Sequence, residues 1–212
     1  MRSLPSSFAR HLPAVALALL TAGGASASSI TLASTFDAGL TFPAQPCCLS
    51  ISNLQWVAVP FQPSVTATLD TADVGIGFVK GTGFLIDIDT NAGGAPGSLL
   101  ETLPLPGISL IPFVGTGTST LHPLLTAGTT YWLVLRPGSQ SAGGWAQNDR
   151  GINGFVFSVN NGSTWLTTTQ ATPIFDINGT PTGVPEPSTL GMILIGVLVV
   201  TIAGRGCRLA AK

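Results

Sequence analysis

Charge is what the sequence has least of. Only 8% of its 212 residues are Asp, Glu, Lys or Arg, about a third of the roughly 25% usual in soluble domains. Eight basic residues are scattered along the chain against nine acidic ones, for a net charge of −1, and they form no basic patch of the kind that phosphate neutralisation needs. Nucleic acid is therefore not an expected partner. Histidine is nearly absent, with His11 and His122 alone. A Ser/His/Asp or Cys/His centre needs an oriented imidazole, and a zinc site needs three or four His, Cys or carboxylate ligands. No segment gathers either set, so no catalytic residue is assigned and the expectation is a protein that is not an enzyme. Helical amphipathicity is also missing, which excludes a helical bundle. What remains is apolar and turn-rich: 45% hydrophobic residues, 26 Gly, 16 Pro, ten Phe and four Trp. That is too apolar for a disordered tail, and the length fits one domain.

The two ends read as addresses. Arg2, Arg10 and His11 give a basic start, Leu12 to Ala22 an apolar run, and Ala25-Ser26-Ala27 a small-residue cleavage site, which predicts a signal peptide over residues 1–27. The run is shorter than the roughly 20 residues of a membrane span, and Gly23-Gly24 ends it. The segment 184–212 has the reverse order. Val184-Pro185-Glu186-Pro187-Ser188 is followed by an uninterrupted apolar stretch from Leu190 to Ala203, then by Arg205, Arg208 and Lys212. This predicts a single transmembrane helix over about 188–204 with its basic end (205–212) in the cytoplasm. A buried core helix is the weaker reading, because Gly191, Gly196 and the β-branched run Val199-Val200-Thr201-Ile202 suit a membrane better than a soluble helix.

The order of motif, apolar helix and Arg-containing end resembles the PEP-CTERM sorting signal of Gram-negative bacteria. The resemblance covers about 25 residues. It implies recognition of Pro185, Glu186 and Pro187 by an exosortase, a transpeptidase-like enzyme of the bacterial inner membrane, in cells that make exopolysaccharide and biofilm. It also implies a cell-envelope location, with the C-terminal helix as anchor before processing and the cell surface or medium as destination after it.

Residues 28–183 are the expected exported domain. From Ser28 to Val184 three basic residues (Lys80, Arg136, Arg150) stand against eight acidic ones, so this part is mildly acidic. Short β-branched or aromatic runs bounded by Gly, Pro, Asn or Asp predict strands at Ile30–Phe36, Leu54–Phe61, Val65–Leu69, Val74–Lys80, Phe84–Asp89, Tyr131–Arg136, Phe155–Val159, Thr164–Thr168 and Ile174–Ile177. About nine or ten strands with frequent turns make an all-β, antiparallel β-sandwich of jelly-roll type. Asp87-Ile88-Asp89 with the glycine-rich turn after it, and Leu125 to Leu135 followed by Gly143-Gly144-Trp145 and Asn148-Asp149, are similar to the choice-of-anchor β domains, type R above all. That likeness covers about half of the exported part and implies fold rather than activity.

Three sets of residues carry candidate chemistry. Asp87, Asp89 and Asn91 alternate as hard oxygen donors would around Ca²⁺, but the EF-hand positions six and twelve hold Ala92 and Ser98, and Asx residues entering a turn explain the spacing better. Trp56, Trp132, Trp145 and Trp165 with Tyr131 are candidates for a sugar-stacking platform. Trp132 reads as core. Trp145, in a polar glycine-flanked loop, reads as exposed, with Asn148 and Asp149 as hydroxyl partners, and this makes a carbohydrate-binding module the alternative function. Asp87 and Asp149 as the two carboxylates of a glycoside hydrolase are a remote third reading. Cys47 and Cys48 are neighbours, for which a mutual disulfide is strained, so pairing between chains or a free thiol pair is expected. His122 before Pro123 reads as a turn residue, as do Asn161-Gly162-Ser163 and Asn178-Gly179-Thr180.

Overall fold

A computed structural model of the chain describes residues 28–36, 48–105 and 112–182, with backbone alone for Phe78 and Val79. Ala25, Ala27 and the whole sorting segment, from Val184 and Ser188 to Arg205 and Arg208, lie outside the described residues. Every element among the described residues is a strand: β1 (Ile30–Ser34), β2 (Leu49–Ile51), β3 (Trp56–Phe61), β4 (Ala67–Lys80), β5 (Phe84–Asn91), β6 (Pro96–Leu105), β7 (Phe113–Thr118), β8 (Leu124–Leu125), β9 (Tyr131–Pro137), β10 (Ala142–Trp145), β11 (Asn153–Ser158), β12 (Leu166–Ala171) and β13 (Phe175–Pro181). They form two antiparallel sheets. One has the order β1-β13-β4-β10-β2 with β7 and β8 also on β4, and the other the order β12-β11-β3-β9-β5-β6.

Alternation decides which side chains meet between the sheets. Val57, Val59, Ile86, Ile88, Leu133 and Leu135 of the six-stranded sheet share one apolar core with Leu69, Ala72, Val74, Ile76, Phe175 and Ile177 of the seven-stranded one. Aromatic rings meet within it: Phe61 lies 5.8 Å from Tyr131 and 6.3 Å from Phe175 between centroids. The Tyr131 hydroxyl is not left bare, since it accepts from the Thr126 N–H at 3.0 Å.

The strands expected at Val65–Leu69 and Val74–Lys80 are one strand, β4. It bends instead of breaking: it holds one residue more than β13 between Leu69 and Thr71, and one more than β10 between Gly77 and Lys80. β2, β6, β7, β8 and β10 were not legible: β2 and β8 are only three and two residues long, and β6, β7 and β10 are interrupted by glycine or proline. In β7, a Cβ on Gly117 would stand 2.8 Å from Leu103 Cβ, and in β10 a Cβ on Gly144 would stand 2.4 Å from Cys48 Cβ. These glycines mark close approach between strands rather than turns. Asn178-Gly179-Thr180, expected as a turn, lies inside β13. Cys48 is disulfide-bonded and is therefore not a free thiol; the other two cysteines lie outside the described residues.

The edges are guarded. Where β1 pairs with β13, β6 with β5 and β12 with β11, the irregular extra residue falls on the outer strand each time. Bulges of this kind twist an edge away from further pairing, and β6 adds Pro96 and Pro104.

Among the described residues, one acidic side chain lies on the inner side of a sheet, and it ties the sheets together. Glu101 pairs with Ile88 in register and is buried. Its Oε2 accepts from the Ser119 hydroxyl at 2.5 Å, and its Oε1 accepts from the backbone N–H groups of Thr120 (2.6 Å) and Leu121 (2.9 Å) and from the Thr120 hydroxyl (3.0 Å). Burial alone raises the pKa of this carboxyl, but the four bonds outweigh it and hold the group below its ordinary 4.5. A lowered folded pKa contributes stability that is present above the unfolded value and lost as pH falls through the folded one. Glu101→Ala is expected to lower the unfolding free energy by about 2 kcal/mol at pH 7, the scale of hydrogen bonds to a charged group. The loss should be smaller at pH 3, as read by urea unfolding at both pH values.

Candidate functional site

The outer face of the six-stranded sheet gathers three of the four tryptophans. Register places Val156, Ala58, Val134 and Asp87 in one row across β11, β3, β9 and β5, with Thr102 of β6 at its end. Trp132 lies in the next row, between Pro60 and Asp89, and Trp56 pairs with Ser158 on the other side. Ala58, Val134, Val156 and Trp132 are buried in a small second core, and Trp56 and Trp165 pack over it while remaining half-exposed.

Hydrogen bonds hold each polar group on this face. Arg136 grips Asp87 through Nε and through Nη2, the latter donating to Asp87 Oδ1 at 3.0 Å, and the Thr102 hydroxyl donates to the same oxygen at 2.6 Å. The pairing is bidentate, the geometry in which a guanidinium is most firmly oriented. It sets the Arg136 guanidinium carbon 5.6 Å from the centre of the Trp56 ring, within cation–π range.

A tight loop closes the other side of Trp56. The Ser158 hydroxyl accepts from the N–H groups of Asn160 (3.2 Å) and Gly162 (2.8 Å) and donates to Asn160 Oδ1. Asn161 and Gly162 have φ of +58° and +80°, the paired left-handed geometry of a type I′ turn, and Ser163 N–H closes it on the Asn160 carbonyl. Only glycine serves at 162, because a Cβ there would stand 2.9 Å from the Trp56 ring.

Two of the three candidate calcium ligands, Asp87 and Asn91, are engaged by protein groups, whereas Asp89 Oδ1 has no hydrogen-bond partner. Both oxygens of Asp87 are engaged as above, and Asn91 Oδ1 accepts from the Gly94 N–H (3.2 Å) and Trp132 Nε1 (2.9 Å). That is the Asx turn of the hairpin. Among the described residues no group of three or more His, Cys, Asp or Glu side chains is arranged to hold a metal ion.

Trp145 corrects the sequence reading. It is completely buried in the main core, on β10 opposite Ile76 and Leu49, and its Nε1 donates to the Ile174 carbonyl at 2.8 Å. It cannot stack on a sugar. A tryptophan so placed contributes about 3–5 kcal/mol relative to alanine. Asn148 is buried as well: its Nδ2 donates to the carbonyls of Ile152 and Thr172, and its Oδ1 accepts from the N–H groups of Arg150 and Ile152. Asp149 is exposed in the β10–β11 loop, a different element from Asp87 on β5. His122 is a turn residue as expected, at φ +48°, with Nδ1 2.8 Å from the Leu69 carbonyl oxygen.

The opposite outer face is acidic. Asp73 and Asp176 stand directly across the β4–β13 ladder, bridged by Asn178 Nδ2 at 3.1 Å and 3.2 Å. Burial, assisted by the charge of Asp73, raises the Asp176 pKa.

Comparison with known proteins finds no family model that matches the chain and no curated protein that matches it.

Asp89 gives the site a pH signature. Its Oδ1 is buried with no hydrogen-bond partner. Burial, and secondarily the Asp87 charge, push its pKa up to about 7 from 3.8, against the pull of Arg136. An acid with a raised folded pKa keeps its proton in the fold after the unfolded chain has lost it, so stability falls as pH rises from about 4 to about 7. Asp89→Asn is expected to flatten part of that fall in a series of thermal melts and to be more stable than wild type at pH 8. Asp176 supplies a remainder of the same sign.

Proposed function

We propose that this chain is a non-enzymatic, exported protein of the bacterial cell surface or extracellular matrix, delivered there as a PEP-CTERM-type substrate of an exosortase. The observation that carries the reading is the order within 184–212: Val184-Pro185-Glu186-Pro187-Ser188, the apolar stretch from Leu190 to Ala203, then Arg205 and Arg208. The N-terminal signal ending at Ala27 would start export, the inner membrane would hold the C-terminal helix until processing, and the jelly-roll-like body would then be displayed on the cell or released into exopolysaccharide.

Two features of the body support this. A disulfide at Cys48 suits an oxidising compartment outside the cytoplasm. Thr, Ser, Asn and Gln far outnumber charged residues in the body, whose net charge is only mildly negative, so it sets up no strong long-range field. A domain of this kind remains soluble beside a polysaccharide without attracting or repelling it at a distance.

The reading is tested by intact mass of the protein recovered from membrane and medium fractions of its host. Wild type is expected to lose both the segment before Ser28 and the apolar tail. A variant with Pro185, Glu186 and Pro187 changed to Ala is expected to keep the tail in the membrane. Identical masses and fractions for the two proteins would reject sorting.

A further inference from the structure

We propose that the outer face of the six-stranded sheet is a binding site for an uncharged polysaccharide, which lies across Trp56, Trp165 and Arg136. Binding stands on the geometry of this face; that the polysaccharide is the cell's own matrix rests on the export reading above.

The first argument is the division of labour among the rings. Trp132 is buried and its N–H is taken by Asn91, so it serves as floor. Trp56 and Trp165 lie above that floor and remain half-exposed. Trp56 already has Arg136 on one side of its ring and the Gly162 loop on the other, so Trp165 is the ring that takes the C–H side of a sugar, and the polar edge of that sugar then needs hydrogen-bond partners close by.

Arg136 supplies one. Asp87 engages Nε and Nη2, and the third guanidinium nitrogen, Nη1, makes no hydrogen bond among the described residues. A donor fixed beside Trp56 by a carboxylate pays little entropy when it meets a hydroxyl. The loop pinned by Ser158 and Gly162 fixes Trp56 from its other side in the same way.

Charge chooses the class of ligand. Asp87 cancels Arg136, and Asp89 is the next carboxyl along the same strand. The face therefore carries no net positive charge with which to hold a uronate or sulfated chain against solvation. A neutral glycan, bound through rings and one oriented donor, fits these groups; an acidic one does not. The site keeps Trp56 and Trp165 of the candidate tryptophan platform but shares no residue with the Trp145, Asn148 and Asp149 set expected from the sequence.

The test uses the protein as recovered from its host, with or without its tail, titrated with hexaoses of β-1,4-, β-1,3- and α-1,6-linked glucose, with dextran, and with polygalacturonate as the acidic arm. Tryptophan fluorescence is expected to change saturably with at least one neutral glucan and not with polygalacturonate. Trp165→Ala should weaken that binding at least about tenfold, with an unchanged far-UV circular dichroism spectrum and a cooperative melt reporting an intact fold. Oxidation by N-bromosuccinimide, followed by peptide mapping, requires no variant: the bound glucan should protect Trp56 and Trp165, while Trp145 should resist oxidation with or without it. Absence of saturable binding to every neutral glucan, preference for polygalacturonate, or binding that leaves Trp56 and Trp165 equally oxidised overturns the proposal. None of these readouts depends on whether the tail is processed, so failure here and failure of sorting are distinguishable.

Discussion

Two sheets with one apolar face each must close on each other, and the placement of almost every other residue follows from that closure. Ile86, Leu133 and Val59 on one side and Leu69, Val74 and Ile177 on the other belong to the same core, and burying such side chains supplies about 25 cal/mol per Å² of apolar surface removed from water. Because β-strand side chains alternate, fixing the inner set fixes the outer set as well. Trp56, Trp132 and Arg136 face outward because Val57, Leu133 and Leu135 face inward. The tryptophan-bearing surface is thus a by-product of core register, and a slip of one residue in β3 or β9 would bury Arg136 and expose the core.

A chain with so little charge must satisfy its buried polar groups by local hydrogen bonds. Glu101 does so between the sheets with four donors from Ser119, Thr120 and Leu121. Asn148 does so at the β10–β11 turn, and Asn178 stands as a neutral bridge where Asp73 and Asp176 face each other across a ladder. Such clusters are costly when half-satisfied. Among the described residues, two buried side-chain oxygens are left without partners, Oδ1 of Asp89 and of Asp176, and both aspartates have raised pKa values. The same physics gives the edges their form: with few lysines available to discourage pairing, β1, β6 and β12 rely on bulges.

The proposed export and the proposed glycan face place different demands on the chain. Sorting needs only a short linear segment, read in an extended or helical state by a membrane enzyme, and can be carried by 25 residues that take no part in the core. Sugar recognition needs side chains far apart in sequence, Trp56 on β3, Arg136 on β9 and Trp165 just before β12, brought together by the sheet order β12-β11-β3-β9. The first can be attached to any domain; the second depends on the strand order of this fold.

That difference also separates what the sequence determined from what the tertiary structure decided. Composition and two-residue alternation were sufficient for an all-β antiparallel body, for the strands of Tyr131 and Phe155, for the Asx turn at Asn91 and for the core place of Trp132, because each depends on local backbone preference or on burial of a run. Glycine was the point of failure. In Gly143-Gly144-Trp145 a sequence reader sees a flexible loop and an exposed ring, whereas β10 uses the missing side chains to fit Cys48 and Phe84 and drives Trp145 into the core. Proline and glycine likewise concealed β6 and β7. The bond between Arg136 and Asp87, 49 positions apart, and the meeting of Trp56 with Gly162 depend on which strands become neighbours. Strand order is set by how two whole sheets bury their inner faces together, a requirement that no local pattern in the chain expresses.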